Sequence, residues 1–479
     1  MATNIVTRKL NDAAITQLGS FQAGDLVLVE REGTAHSMEG QAIIDAVADE
    51  QTSPTLTVSL GRGRKIAVAG DSIAARALHD GSTADDAYGA SQGFTNWARA
   101  LSGGAFVTKV EDNVAIGGSN TATLINTQLP DLLTRFAAGG IGHVVVSIGT
   151  NDADGVATFE TITGRIVSFA QSCIANGAVP VFMVPPPRTY SGAVANFYPR
   201  LQRLAEYIAE QLPVDVPGAV SFGAWSSMYI PATGLADDGS AQTHRFQDGT
   251  HFSARGAYEA GRQLAAILQA GVSPRLSSHL TPKAIYDATD NPKGPLVDPF
   301  FSAKTAYSGG DANITGNMPN GWSIERTTGS QTIAVDVANI TKDGQTISAT
   351  TLAITAGGVA GSTRIYRSIT PASSLAGVPV ILRARIRVVN AVNLRMIELR
   401  NRRDTLTPTS QSTFDMYRHT NGAVNYMWPD GSYDMYLETP PMTIPDPIGT
   451  NTLIPSLNIG IELSGSVTVH VLSMELVPA

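Results

Sequence analysis

Ser72 follows Gly70 and Asp71 directly after an apolar run, Ile66 to Ala69, and far downstream Asp248 stands three residues before His251. These residue types are those of nucleophilic hydrolysis. A serine hydroxyl is a weak nucleophile near neutral pH and needs a base in hydrogen-bond contact. An imidazole supplies that base when a carboxylate holds its other ring nitrogen and so sets its tautomer. The reaction also builds charge on a carbonyl oxygen, which calls for aimed N–H donors. Two segments suit that task. Asn113 to Ser119 carries Gly117 and Gly118, where a bare backbone lets an N–H approach a substrate. Gly149-Thr150-Asn151-Asp152 puts a side-chain amide after another apolar run, Val144 to Ile148. The Ser72 backbone N–H would be a third donor.

The elements needed to hold these loops are readable as pattern. From about residue 65 to 270, apolar strand candidates (Ile66 to Ala69, Phe106 to Val110, Val144 to Ile148, Val179 to Val184, Ala219 to Phe222) alternate with helical periodicity in Phe159 to Ala175, Tyr198 to Leu212 and Ser253 to Leu268. Alternation of this kind predicts an α/β fold with a mostly parallel sheet covered on both faces. Ligands of such sheets bind beyond the carboxyl ends of the strands, where Ser72 falls.

Taken in chain order, the four blocks resemble the SGNH, or GDSL, hydrolase superfamily. Gly70-Asp71-Ser72-Ile73 has Ile where the namesake motif has Leu. Asn113 to Ser119 corresponds to Asn-x-Gly-x-Ser-Gly, with Ala115 for the first glycine and Gly117 for the serine. That departure leaves Gly117 and Gly118 both open, with Gly118 aligned to the oxyanion glycine. Gly149 to Asp152 and Asp248 to His251 match intact. Over residues 64 to 270 the resemblance implies a three-layer α/β/α domain and ester hydrolysis through an acyl-serine. Its implied catalytic residues are Ser72, Asp248 and His251, and its implied oxyanion donors are Ser72, Gly118 and Asn151.

Composition narrows the alternatives. The chain has 479 residues, 43% apolar and 15% charged, with a formal net charge of −8, so it is a globular protein without the basic surface that nucleic acid requires. Its densest positive run, Gly61 to Lys65, is expected to edge the first strand. The single cysteine, Cys173, excludes an internal disulfide and a thiolate zinc site. His36, His79, His143, His279, His419 and His470 are scattered without partners at metal-ligand spacing, and His244 and Asp237-Asp238 read as exposed loop residues. No metal and no cofactor are expected. No stretch reaches the ~20 apolar residues of a membrane span, and residues 1–9 lack the apolar core of a secretory signal.

The expected organisation is an attachment or oligomerisation segment at 1–60, the hydrolase domain at 61–272, a linker at 273–297 and a β domain at 298–479. In the β domain the candidates are Ile333 to Val337, Thr346 to Thr355, Ile365 to Ile369, Val378 to Val389, Leu394 to Leu399, Leu457 to Leu463 and Val467 to Leu476. These predict an antiparallel, jelly-roll-like β-sandwich. It looks like the appendages that bind carbohydrate, and Trp322 and the cluster Tyr426, Trp428, Tyr433 and Tyr436 could stack on sugar rings or fill a core. Ala23 to Thr34 resembles the attachment segments of bacteriophage tail-spike and tail-fibre proteins, which implies a homotrimer bound to other virion tail proteins. The expected function is removal of O-acetyl groups from a bacterial surface polysaccharide by a virion-borne or otherwise extracellular esterase. The alternatives are a bacterial esterase or lysophospholipase-type enzyme with an accessory β domain, and a catalytically silent receptor-binding tail protein.

Overall fold

A computed structural model describes residues 65–77, 90–188, 196–223, 225, 229–230, 235–236, 245–246, 248–269, 285–292, 294–299, 301, 303–342, 344–404, 411–416, 427–445 and 452–479, together with the backbone of three short strands near the N-terminus. The chain divides into two compact units, Met1–Ser59 and Leu60–Ala479. In the first unit β1 (Val6–Thr7) runs parallel to β2 (Leu26–Arg31), which pairs antiparallel with β3 (Thr34–Glu39). Residues 40–64, which span the end of the segment expected at 1–60, lie outside the described residues.

The second unit opens with β4 (Lys65–Gly70), α1 (Ser72–Ala75), α2 (Phe94–Leu101), β5 (Val107–Asn113) and α3, a helix built of Thr121–Thr123, Leu124–Gln128 and Leu129–Ala138. There follow β6 (Ile141–Ser147), α4 (Thr150–Ala153), α5 (Phe159–Ala175), β7 (Val179–Met183) and α6, again in three stretches, Phe197–Glu206, Tyr207–Gln211 and Leu212–Asp215. After β8 (Val220–Phe222) come a short pair, β9 (Tyr229–Ile230) with β10 (Leu235–Ala236), and α7 (Ala254–Leu268). All five long strands are parallel, in the order β5-β4-β6-β7-β8. Strand order reverses at β4 and β6, which opens a crevice at their carboxyl ends.

Alternation along β4 builds the three layers. Ile66 and Val68 face Phe94, Trp97 and Leu264, while Ala67 and Ala69 face Leu124, Ile166, Phe169 and Ile208. Each strand residue therefore has helix on whichever side it points, the condition for a sheet buried on both faces. The middle stretches of α3 and α6 are wide turns of π type, and each is followed two residues on by a proline, Pro130 and Pro213. Proline lacks the amide hydrogen and its ring crowds the carbonyl four residues back, so the turn before it opens. The sequence reading had placed the five strands and α5, α6 and α7. It had not placed α2 or α3.

The β region contains β11 (Lys304–Ala306), β12 (Ile314–Pro319), β13 (Ser323–Thr328), β14 (Thr332–Lys342), β15 (Gln345–Thr355), β16 (Gly361–Tyr366), β17 (Pro379–Asp404), β18 (Gln411–Asp415), β19 (Gly431–Glu438), β20 (Met442–Thr443) and β21 (Thr452–Pro478). Pairing is antiparallel throughout except between β12 and β14. Two strands are longer than sequence pattern suggested: Val378 to Val389 and Leu394 to Leu399 are one strand of 26 residues, and the last two candidates form one of 27. They pair along their length, with register shifts around Val389 to Met396 where Asn390 and Asn393 take φ near +51°. Beyond that irregularity β21 changes partner from β15 to β16, and β17 from β19 to β18. One long hairpin is thus shared by two half-sheets whose apolar faces, including Leu352, Ile386 and Val469 from one and Ile365, Ile397 and Leu457 from the other, enter one core.

That core does not stop at the β region. Trp97 of α2 stacks edge-on against Trp428 at 4.8 Å and Tyr433 at 6.2 Å, and Tyr258 of α7 meets Tyr433 at 5.4 Å. Arg255 donates to Trp428 O and to Asp430 (3.1 and 2.8 Å), and Arg99 pairs with Asp415. Trp428 is fully buried, Tyr433 and Tyr436 nearly so, and Trp322 packs on Phe301. These four aromatic rings are therefore core and interface, unavailable for stacking on a sugar; Tyr426 lies outside the described residues. The end of the segment expected as a linker is folded too: Leu296 N donates to Leu476 O at 2.8 Å. Among the described residues no helix is long and apolar enough to cross a membrane.

Candidate active site

The strand β4 ends in a glycine for a steric reason. Gly70 has φ +127°, and a Cβ there would stand 1.8 Å from the carbonyl oxygen of Ser147 on β6. The backbone turns sharply at this point and Asp71 caps α1, its Oδ1 accepting from Ile73 N at 3.0 Å and from the Ser147 hydroxyl at 3.2 Å. Its Oδ2 is buried without a hydrogen-bond partner among the described residues. Burial, opposed by these hydrogen bonds and aided by the nearby Asp152 carboxylate, pushes the Asp71 carboxyl up to about 7. Ser72 is the first residue of α1 and is partly exposed at the rim of the sheet.

His251 arrives on a loop closed at its neck. Ser253 N donates to Arg245 O at 2.9 Å, Phe246 and Phe252 form a β-bridge, and α7 starts at once under the Ser253 cap. Within the loop Asp248 Oδ1 accepts from the amides of Thr250 and His251 (3.1 and 2.8 Å), while Oδ2 lies 2.7 Å from His251 Nδ1. Burial alone would raise the Asp248 carboxyl, but the His251 ring and those two amides outweigh it and hold it down at about 2. An ionised carboxylate only accepts, so Nδ1 carries the hydrogen and Nε2 is left as the acceptor. That nitrogen is 2.8 Å from Ser72 Oγ. Carboxylate, imidazole and hydroxyl form one chain across two segments, the 246–252 loop and the turn after β4. Arg76 stands 3.7 Å from Asp248 Oδ2, and Arg188 Nε donates to Thr250 Oγ1 at 3.0 Å.

The donor side faces the same hydroxyl's turn. Val114 N and Ile116 N donate to Val68 O and Gly70 O, which binds the loop after β5 to the end of β4. Asn113 Nδ2 donates to the carbonyls of Ala74 and Ala75 at the end of α1. Of the two glycines left open by sequence, Gly118 has φ +77° and open space around the position of a Cβ. Asn151, in α4 just past β6, donates from Nδ2 to Ser119 O at 2.8 Å and so stands against this loop, with a second N–H on the same nitrogen. Asp152 points away from it and accepts from the Thr121 amide and hydroxyl, fastening α4 to the start of α3.

Comparison with known families adds to this geometry. Residues 68–258 match the model of the GDSL-like Lipase/Acylhydrolase family. This region is similar to that family, the one its four motif blocks resemble. Similar solved structures include the lipase/acylhydrolase from Enterococcus faecalis (19% identity, 45% of this chain and 100% of that one, TM-score 0.33) and the acetyl xylan esterase AlAXEase (14%, 43% and 99%, 0.33). Another is the enzymatically active domain of bacteriophage CBA120 tailspike protein 4 (15%, 33% of this chain and 19% of that one, 0.22). No curated protein matches the sequence.

Within this region, the residues that the motifs single out lie at the carboxyl ends of β4, β5 and β6 or on the loop that brings His251 to Ser72. Sequence pattern does not mark Ser147, Arg76 or Arg188, whose contacts with Asp71, Asp248 and Thr250 bring them to this site from positions outside the motifs. Among the described residues no three His, Cys, Asp or Glu side chains gather as a metal site. His143 is buried in β6 and pushed down to about 4 by that burial, and His470 bonds Thr351 at 2.8 Å. His79, His244, His279, His419 and Asp237-Asp238 lie outside the described residues. Cys173 is buried in α5, which raises its thiol well above the ordinary range.

Proposed function

We propose that this chain is a serine esterase that removes O-acetyl groups from a polysaccharide through an acyl-serine intermediate. The observation that carries the reading is the unbroken relay Asp248–His251–Ser72, at 2.7 and 2.8 Å, beside a glycine loop and the Asn151 amide. Ser72 Oγ attacks the acetyl carbonyl while its proton passes to His251 Nε2, and Asp248 stabilises the imidazolium. The N–H groups of Ser72 and Gly118 and the Asn151 amide receive the oxyanion. Its collapse breaks the bond to the sugar oxygen, which leaves with the proton from His251. Water, deprotonated by the same imidazole, then attacks the acyl-serine and releases acetate.

Two observations favour a small acyl group on a bulky alcohol. Ser72 sits at an open rim, and Gly117, Gly118 and Ile116 beside it are exposed to solvent. The resemblance of Ala23 to Thr34 to tail-spike attachment segments supports a virion or other extracellular setting, with a homotrimer and other tail proteins as partners. Proton NMR of acetylated glycans incubated with the protein tests the reading. Free acetate should appear with wild type and not with Ser72→Ala. Release of long-chain acids instead would point to a lysophospholipase-type enzyme. Failure of a fluorophosphonate probe to label Ser72 would leave a silent receptor-binding protein.

A further inference from the structure

Gln128 is the last residue of the wide turn in α3 and is 1% exposed. Its side-chain amide closes a paired contact with the backbone of one residue: Oε1 accepts from Gly70 N at 2.6 Å, and Nε2 donates to Gly70 O at 2.8 Å. The second hydrogen on Nε2 goes to Ser119 Oγ at 3.1 Å. Ser119 in turn accepts Asn151 Nδ2 on its carbonyl, and Gly70 O also receives Ile116 N at 3.1 Å. One buried amide thus has all its hydrogens committed, and every one goes to a segment that carries a reacting group. Gly70 precedes the nucleophile by two residues, and Ser119 follows Gly118.

A buried side-chain amide with this pattern is costly unless fully satisfied, and an apolar residue would fill the same space without that demand. Helix packing by itself does not call for it. We propose that Gln128 is a positioning residue that locks the nucleophile turn and the oxyanion loop into one register, so that turnover at Ser72 depends on it. The inference rests on the reading of Ser72 as nucleophile. It adds a residue that no motif marks.

The test uses the full chain and 4-nitrophenyl acetate. Gln128→Leu should lower kcat by about 100-fold with KM little changed, since displacement of the reacting groups by about 1 Å has that effect while ground-state binding is kept. Gln128→Glu is the rescue. Its protonated acid reproduces the accept-and-donate pair on Gly70, whereas the carboxylate has no donor and sets an anion against Gly70 O. Its kcat relative to wild type should therefore be close to one near about pH 5 and fall at least about tenfold by about pH 8, with melting curves showing a folded protein at both. A Gln128→Leu kcat within about twofold of wild type, or a rise in KM alone, overturns the inference. If Gln128→Leu does not fold, a flat Gln128→Glu ratio across that range overturns it. Wild type that neither hydrolyses the ester nor takes a fluorophosphonate on Ser72 defeats the nucleophile reading, and this inference with it. Labelled wild type with an equally fast Gln128→Leu defeats this inference alone.

Discussion

Two carboxylates beside Ser72 are driven in opposite directions by their surroundings. Asp248, bonded by His251 and two amides, is held at about 2, while buried Asp71 rises to about 7. The first stays ionised wherever the imidazole is to act as a base. Asp248→Asn should leave His251 in the wrong tautomer and lower kcat by about ten-thousandfold, measured on 4-nitrophenyl acetate, with melting temperature nearly unchanged. The second couples folding to pH. Its folded value lies above the ordinary 3.8, so the stabilisation is complete below that pH and is lost as pH rises through about 7. Asp71→Asn keeps the acceptor for Ile73 and Ser147 and cannot ionise. Its melting temperature should climb relative to wild type across that window and run parallel to it outside; a constant difference from pH 4 to 8 would refute the assignment.

At the scale of elements, legibility followed periodicity. The strands of the parallel sheet are short apolar runs with turn residues behind them, and α5 and α7 start at Thr158 and Ser253, residues whose side chains cap the helix. By contrast α2 and α3 do not stand out as helical pattern, and with α3 went Gln128. In the β region, local pattern divided β17 and β21 where the chain bends. Asn390 and Asn393 hold the positive φ that the bend requires, a conformation asparagine tolerates and β-branched residues do not. Asn390→Val should destabilise the protein by about 1–2 kcal/mol in urea denaturation, and Asn390→Gly should be close to neutral. Equal stability of the two variants would show that the bend is held elsewhere.

For the whole second unit, the surprise is continuity. Trp97 and Tyr258 from the α/β side and Trp428 and Tyr433 from the β side share one cluster. The β region is thereby part of what holds α2 and α7, and α7 begins three residues after His251. Trp428→Ala should remove about 3–5 kcal/mol and lower the melting temperature of the α/β and β regions together. Two separated transitions, with only one displaced, would contradict a common core. The aromatic side chains Trp97, Tyr258, Trp428 and Tyr433 meet one another rather than solvent.

By itself the sequence nominated candidate reacting groups and laid out the sheet. Ser72, His251, Asp248, Asn151 and the glycine loop are named by residue type, because acid–base and oxyanion chemistry admits few substitutes, and each stands just beyond a strand or before a helix that local pattern reveals. Tertiary structure alone decided what surrounds them. Gln128 reaches Gly70 across 58 residues of chain, Asp71 is raised by burial, and Trp428 finds Trp97 rather than solvent. Burial and long-range hydrogen bonds depend on which surfaces meet, and that is a property of the packed chain with no counterpart in any short stretch of it.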